Sequence, residues 1–333
     1  MADRVESNCR SDCSLFWRVF STICLPFTLP YIIFKIIDIV KERRYRECLP
    51  GKVVVITGAS SGLGEALAHV FFLAGCKVVL CARRRNELER VRKDLLALYT
   101  TMETHSPVIL PLDLSDISSL PLKIKEVLEI HGHIDIVINN GGVSIRSDCL
   151  STAMDVDIKV MLVNYFGTVA LTKACLPSMI ERKQGRIVCI SSVQGKFSIP
   201  HRSAYGASKH ALQGFCDSLR AEISEHDVKV TLISPSYIRT ALSVNALTGT
   251  GEQYGSKLLS HQELDSTTAS GVSPSIVAKR ILKAVLRDEQ DVIIASFAPK
   301  MAYWVRHLFP TLYFWIMARR AQKLNAPTVE EKN

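Results

Sequence analysis

Tyr205-Gly206-Ala207-Ser208-Lys209 sets a phenol and an ammonium four residues apart. On a helix that spacing puts both on one face. A phenol that titrates near 10 is a weak acid–base group at neutral pH, and a neighbouring ammonium favours the phenolate and brings titration toward the working range. Ser191-Ser192 close an apolar run thirteen residues before Tyr205, where a hydroxyl is placed to hydrogen-bond a carbonyl. Such a Tyr/Lys pair alone is common on solvated helices, so its weight comes from a second pattern. Thr57-Gly58-Ala59-Ser60-Ser61-Gly62-Leu63-Gly64 follows the apolar run Val53–Ile56. Its glycines permit a tight turn, close approach of the backbone to a pyrophosphate, and close helix–sheet packing. A helix starting there points its free N–H groups at phosphates. In a strand–loop–helix context this predicts a dinucleotide site. A second apolar run ends in Cys81-Ala82-Arg83-Arg84-Arg85, with no acid before Glu87. A site for NAD would carry Asp or Glu there. Arg83 and Arg84, helped by Ser60 or Ser61, suit a 2′-phosphate instead, so NADPH/NADP+ is the expected cofactor. Arg85 reads as a solvated charge.

These residues need a scaffold, and the hydrophobic pattern supplies one. Strands are predicted at 53–56, 77–82, 108–112, 134–138, 186–190, 228–233 and 291–295, and helices at 64–74, 86–100, 117–130, 156–182, 204–224 and 275–286. The continuous apolar runs suit strands buried on both faces. Repeated βαβ units give one α/β domain, a single doubly wound parallel sheet of seven strands with helices on both faces. No Gly-, Ser- or Pro-rich linker divides it. The expected organisation is an N-terminal segment 1–48 with a membrane anchor at about 15–40, a catalytic domain 49–296, and an amphipathic extension 297–333.

On these motifs the chain resembles the short-chain dehydrogenase/reductase family over about residues 50–295, a Rossmann-type fold. The family's cofactor loop matches Thr57–Gly64, and its adenine-side Asp matches Asp113. Its Asn-Asn-Ala-Gly motif reads Asn139-Asn140-Gly141-Gly142, a departure expected to loosen packing. Its Pro-Gly after the sixth strand reads Pro235-Ser236, which puts the loop over the nicotinamide in doubt. The resemblance implies Ser192, Tyr205, Lys209 and Asn164 as catalytic residues, Asn164 holding a proton-relay water. It implies cofactor contacts from Gly58, Ser60, Ser61, Gly62, Leu63, Gly64, Arg83, Arg84, Asp113, Leu114, Asn140, Tyr205, Lys209 and Thr240. Ser192 would also touch substrate. Within the family, 190–196, 198–210 and 243–255 resemble the membrane-anchored dehydrogenase/reductase member seven-B group. That implies NADPH-dependent reduction of acyl- or alkyl-dihydroxyacetone phosphate in ether-lipid synthesis. His201 and Arg202, just before the catalytic helix, are candidates for a phosphate head group; ordinary surface residues are the plainer reading.

The chain has 333 residues, 47% of them hydrophobic, and a net charge of +9. Such a composition excludes a disordered chain. The basic excess does not point to nucleic acid, because most of it flanks two apolar ends: residues 35–47 sum to +2 and residues 299–325 to +5. From Val19 to Phe34 no residue is charged, and Trp17, Tyr31, Arg18 and Lys35 stand at the borders. An anchor is expected there, with Pro26 and Pro30 against a regular helix. The basic cluster 41–46 places the following domain on the cytosolic side. Endoplasmic-reticulum membrane is the first expectation and peroxisomal membrane the second. Near the C-terminus, aromatics from Tyr303 to Trp315 interleave with Arg306, His307, Arg319, Arg320 and Lys323. This reads either as an interfacial helix beside the substrate entrance or as a helix packed on the sheet or in a homodimer interface. The ten cysteines show no metal-ligand spacing and read mostly as reduced buried thiols. Three functions stand open: reduction of a lipid-like carbonyl, a steroid or retinoid dehydrogenase of the same fold, and a non-enzymatic NADPH-binding interaction protein. The intact Ser192/Tyr205/Lys209 set speaks against the last.

Overall fold

The structure is a computed structural model, and it describes residues 25–98, 104–252 and 271–325. The chain divides into two compact units, 1–48 and 49–333. In the first, α1 (Leu25–Glu47) runs 23 residues with Pro30 inside it. Its side chains from Leu29 to Val40 include Ile32, Ile33, Phe34, Ile36 and Ile37, all about half exposed. Its first half, apolar apart from Lys35, suits an apolar surround rather than water, while the second half is strongly charged. Its apolar stretch Thr28–Ile37 is shorter than a membrane crossing; the expected anchor's residues 15–24 lie outside the described residues.

The second unit carries a seven-stranded sheet, every pair parallel, in the order β3-β2-β1-β4-β5-β6-β7. The strands are β1 (Val53–Thr57), β2 (Lys77–Ala82), β3 (Val108–Pro111), β4 (Ile136–Asn139), β5 (Gly185–Ile190), β6 (Val228–Pro235) and β7 (Asp291–Ile294). Helices α2 (Gly62–Leu73), α3 (Arg85–Leu96) and α8 (Pro274–Leu286) cover one face; α4 (Leu120–His131), α6 (Gly167–Glu181) and α7 (Ser203–Glu222) cover the other. Strand alternation sorts the core. Val54 and Ile56 join Leu67, Phe71 and Ile281, while Val53 and Val55 join Ile124, Leu171 and Leu219. That double burial is why β1 reads as an unbroken β-branched run. Sheet order reverses between β1 and β4, so the crevice beyond their carboxyl ends is the natural place for a ligand.

Three details depart from the sequence pattern. The helix expected at 156–182 is α5 (Met154–Met161) and α6 joined by a π turn, Leu162–Phe166. Together they span Met154–Glu181, the one helix among the described residues long and apolar enough to cross a membrane. Val156, Val160, Leu171, Cys175 and Met179 are buried in the domain, so it is a core helix. The C-terminal segment is two helices, α9 (Phe297–Leu308) and α10 (Pro310–Asn325). Pro310 has no N–H to continue the ladder and pushes Phe309 out of helical geometry, to φ −134 and ψ 64. Lastly, Asp135 anchors the amino-terminal end of the sheet: buried, it accepts from the Val53 N–H and pairs with Lys52, Arg182 and His133.

Among the described residues Cys76, Cys81, Cys175, Cys189 and Cys216 are buried, Cys48 and Cys149 are exposed, and all are unbridged. Burial pushes the Cys76 and Cys175 thiols up to about 12. No group of His, Cys, Asp and Glu suited to a metal occurs among the described residues.

Candidate active site

The carboxyl ends of the strands open on a cavity of about 920 Å³, within the size range of sites for small molecules and cofactors. Its first half is built by the β1–α2 loop. Gly58 turns the chain at φ +67. Helix α2 then packs so closely that a Cβ on Gly64 would lie 2.1 Å from the Gly58 carbonyl oxygen. Thr57 closes the switch point: its hydroxyl oxygen accepts from the N–H groups of Asn140 and Gly141, both at 2.9 Å, and the Asn140 amide donates to the Thr57 carbonyl at 2.9 Å. The Arg84 guanidinium donates to Ser60 Oγ at 3.4 Å, across 24 residues of sequence. The cavity lining here includes Gly58, Ser60, Ser61, Gly62, Leu63, Arg83, Arg84, Asp113, Leu114, Asn140 and Thr240. Asp113 is held by Ser115, which donates to it from N–H and hydroxyl. Gly64 does not line the cavity; its part is the close packing of α2.

The second half holds the predicted chemistry. Ser192 lies two residues beyond β5, at the start of a 3₁₀ turn, and its Oγ accepts from the Gln194 N–H at 3.1 Å. The turn meets α7 tightly, because a Cβ on Gly195 would lie 2.6 Å from the Lys209 carbonyl oxygen and from Ser191 Oγ. This approach sets the Ser192 hydroxyl near the Tyr205 phenol, whose titration it pulls downward. Lys209 Nζ donates to the Ile190 carbonyl at 2.9 Å and sits 5.7 Å from the Tyr205 ring centre. Asn164, in the π turn and fully buried, donates to the Val143 carbonyl and Ser208 Oγ and accepts from the Val143 N–H. A π turn is the local distortion that frequently marks functional helices; here it seats an amide that ties the β4 loop to α7.

The electrostatics differ from the spacing argument. Burial raises the Tyr205 phenol above its ordinary 10, against the opposing pull of the Ser192 hydrogen bond and the Arg202 charge. Lys209 was expected to be the cation lowering Tyr205. Instead its ammonium is committed to Ile190, and burial lowers its own titration to about 8. The cation acting on the phenol is Arg202. His201, expected beside it, does not line the cavity. It occupies a left-handed turn, φ 62, whose carbonyl accepts from the Ser147 N–H. Gly141 is also not loosely packed: Leu114 Cδ1 stands 2.6 Å from where a Cβ would be, so the leucine fills the space an alanine methyl would take. Ser236 needs no glycine, having an ordinary negative φ, and its N–H donates to the Ile294 carbonyl at 2.9 Å.

Sequence reasoning missed several lining residues. Ser144 and Lys159 reach the cavity from the β4 loop and α5, and Met317 and Arg320 from α10. Only Arg320 had a signal, as part of the C-terminal basic set. Arg90 was missed too: it grips Glu65 through both carboxylate oxygens and donates to the Ser60 carbonyl, bracing the glycine loop from α3.

The comparisons with known proteins agree with this architecture. The family model described as short chain dehydrogenase matches residues 52–250. A protein of Anopheles gambiae, "Dehydrogenase/reductase SDR family protein 7-like", is 65% identical over 95% of this chain and 98% of its own length. The mouse "Dehydrogenase/reductase SDR family member 7B" is 49% identical over 87% of this chain and 88% of its own. Among solved structures, a short-chain dehydrogenase/reductase from Burkholderia phymatum, in complex with NAD, superimposes with a TM-score of 0.68. It is 23% identical and covers 79% of this chain and 95% of its own, a likeness of fold.

Proposed function

The chain belongs to the short-chain dehydrogenase/reductase family, and from that premise we propose that it reduces a carbonyl group on a lipid-like molecule with NADPH. The observation that carries the reading is the meeting of Ser192, Tyr205 and Lys209 in one cavity with the Arg84–Ser60 pair. The residues fit a dinucleotide. The turn at Gly58 and the close packing at Gly64 set the α2 N-terminus to face phosphates, and Arg83, Arg84 and Ser60 offer donors to a 2′-phosphate. Asp113, Leu114, Asn140 and Thr240 border the rest of the groove. When bound, the reduced nicotinamide supplies hydride to the carbonyl carbon.

The chain's own groups do the rest. Ser192 Oγ orients and polarises the carbonyl oxygen. Tyr205 donates its phenolic proton to that oxygen as negative charge develops, and its raised titration keeps the proton in place at neutral pH, as reduction requires. Lys209, mostly ammonium at neutral pH, would hold the nicotinamide ribose. Asn164 holds the β4 loop and α7 in register.

The lining of the second half supports a substrate class. Lys159, Arg202 and Arg320 are basic there, and Phe197, Ile199, Leu242 and Met317 are apolar. That set suits an amphiphile with an anionic head, such as acyl- or alkyl-dihydroxyacetone phosphate. The apolar, exposed α1 supports a membrane enzyme, in the endoplasmic reticulum or, alternatively, the peroxisome; imaging of the tagged full chain separates the two. The test of function is the full chain in detergent, with NADPH or NADH, given long-chain acyl-dihydroxyacetone phosphate, its dephosphorylated form, and steroid and retinoid carbonyls. Reduction of the phosphorylated lipid by NADPH is expected, with Tyr205→Phe inactive yet still binding NADPH by fluorescence. Full turnover in Tyr205→Phe sinks the mechanism. Preference for a steroid or retinoid sinks the substrate class.

A further inference from the structure

We propose that the α9–α10 hairpin lies flat on an anionic lipid bilayer through the face turned away from the cavity. The hairpin has two unlike sides. Inward, Tyr313 is 3% exposed; its ring meets Phe197 at 6.2 Å and its hydroxyl donates to the Ser198 carbonyl. Ala302, Val305 and Met317 pack with it around Val193 and Phe197. Outward, Trp304, Leu308, Phe309, Leu312, Phe314 and Trp315 are 47–63% exposed. So many large apolar side chains on one short hairpin form the kind of surface that a water-facing protein seldom leaves bare.

The charges choose the occupant. Between Phe297 and Asn325 stand Lys300, Arg306, Arg319 and Lys323, besides Arg320 at the cavity wall, without one acidic residue. Arg306 lies over the Phe314 ring at 4.8 Å and Arg319 over Trp315 at 4.4 Å, so cations and aromatic faces are interleaved. Tryptophan rings and basic side chains with long apolar stems are the groups that settle at the headgroup–acyl boundary. A second copy of the same face would set like charges against like charges, which favours separation. The apolar notch at the turn, formed by Leu308, Phe309, Pro310, Leu312 and Trp315, offers shallow insertion rather than a span. Ala298, Pro299, Ala302, Met317 and Arg320 of the same two helices line the cavity. The bilayer would therefore lie against the wall of the site.

The proposal does not depend on the reductase reading. Trp17→Phe leaves Trp304 and Trp315 as the tryptophans of the full chain. That protein is reconstituted in phosphatidylcholine vesicles containing phosphatidylserine, with and without acyl-brominated phosphatidylcholine. The expected result is strong quenching by the brominated lipid, protection from acrylamide, and loss of much of the quenching in Arg319→Glu/Lys323→Glu. An anchor at the N-terminus would hold the chain to the vesicle in either case, so quenching reports the hairpin. Emission open to acrylamide and blind to brominated lipid overturns the proposal. Emission blind to both, with a dimer by sedimentation, overturns it in favour of a second copy.

Discussion

Lys209→Met tests the electrostatics of the site through stability alone. Met keeps most of the length and removes the charge. Burial holds the Lys209 ammonium down to about 8 from 10.5, with Cys189 opposing. At ~1.4 kcal/mol per unit, that difference disfavours the folded charged form by about 3 kcal/mol. Against this, the variant leaves the Ile190 carbonyl without its donor, a cost of about 1–3 kcal/mol. Near neutrality the two proteins should therefore differ little, with Met level or ahead. The decisive reading is the pH dependence. A lysine whose folded pKa is depressed binds fewer protons folded than unfolded between about 8 and 10.5, so folding stability rises with pH across that window. Its contribution is full above 10.5 and lost as pH falls through about 8. The wild type should gain about 2 kcal/mol on Lys209→Met between pH 7.5 and 10. Urea unfolding of the full chain without cofactor, followed by circular dichroism at matched m-values, measures it. Parallel stability curves would show that Lys209 titrates ordinarily and would refute the account of its burial.

Arg84→Ala should raise the KM for NADPH at least ~10-fold, the loss of a charge-assisted contact, and leave that for NADH nearly unchanged; steady-state kinetics with both cofactors decide. Gly64→Ala places a methyl 2.1 Å from a backbone oxygen that cannot swing away, so dinucleotide affinity should collapse in a calorimetric titration while far-ultraviolet dichroism persists. Asp135→Asn should cost about 2–4 kcal/mol, moderated because its basic partners are partly exposed. Burial pushes the Asp135 carboxyl up, but the Val53 N–H and Lys52 outweigh it and hold it below 3.8. Its stabilisation is thus present at neutral pH and lost as pH falls through that lowered value, and the variant should show a flatter acid limb in denaturant titrations.

The strands were legible because each is a short apolar run that the sheet buries on both faces, and β2 at Lys77–Ala82 falls where the pattern puts it. Ser192, Tyr205 and Lys209, which the cavity brings together, were legible because the chemistry proposed for them restricts residue type and spacing. What escaped was set by distant partners. The π turn at Leu162–Phe166 leaves the apolar pattern of its helix almost unchanged. Arg90 looks like any solvated helix charge until Glu65 and Ser60 are brought beside it. Tyr205 and Lys209 share a helix face as expected, but burial and the Ile190 carbonyl, invisible in a linear motif, reverse the expected direction of the phenol's shift. Pro310 divides the C-terminal segment into two helices, where the aromatic spacing across it reads as one.

The late place of α10 in the order of elements bears on how the domain is made. Synthesis delivers the sheet strands before α10, and folding proceeds in that direction as the chain emerges. Met317 and Arg320 complete the wall of a cavity whose floor was laid by Gly58 some 260 residues earlier, and Tyr313 seats only on a finished Val193–Phe197 turn. The nascent sheet therefore waits with its ligand chamber open on one side until α10 has emerged. A stop codon ahead of Pro310 would freeze that stage: seven strands and the Ser192/Tyr205/Lys209 set in place, and one wall missing.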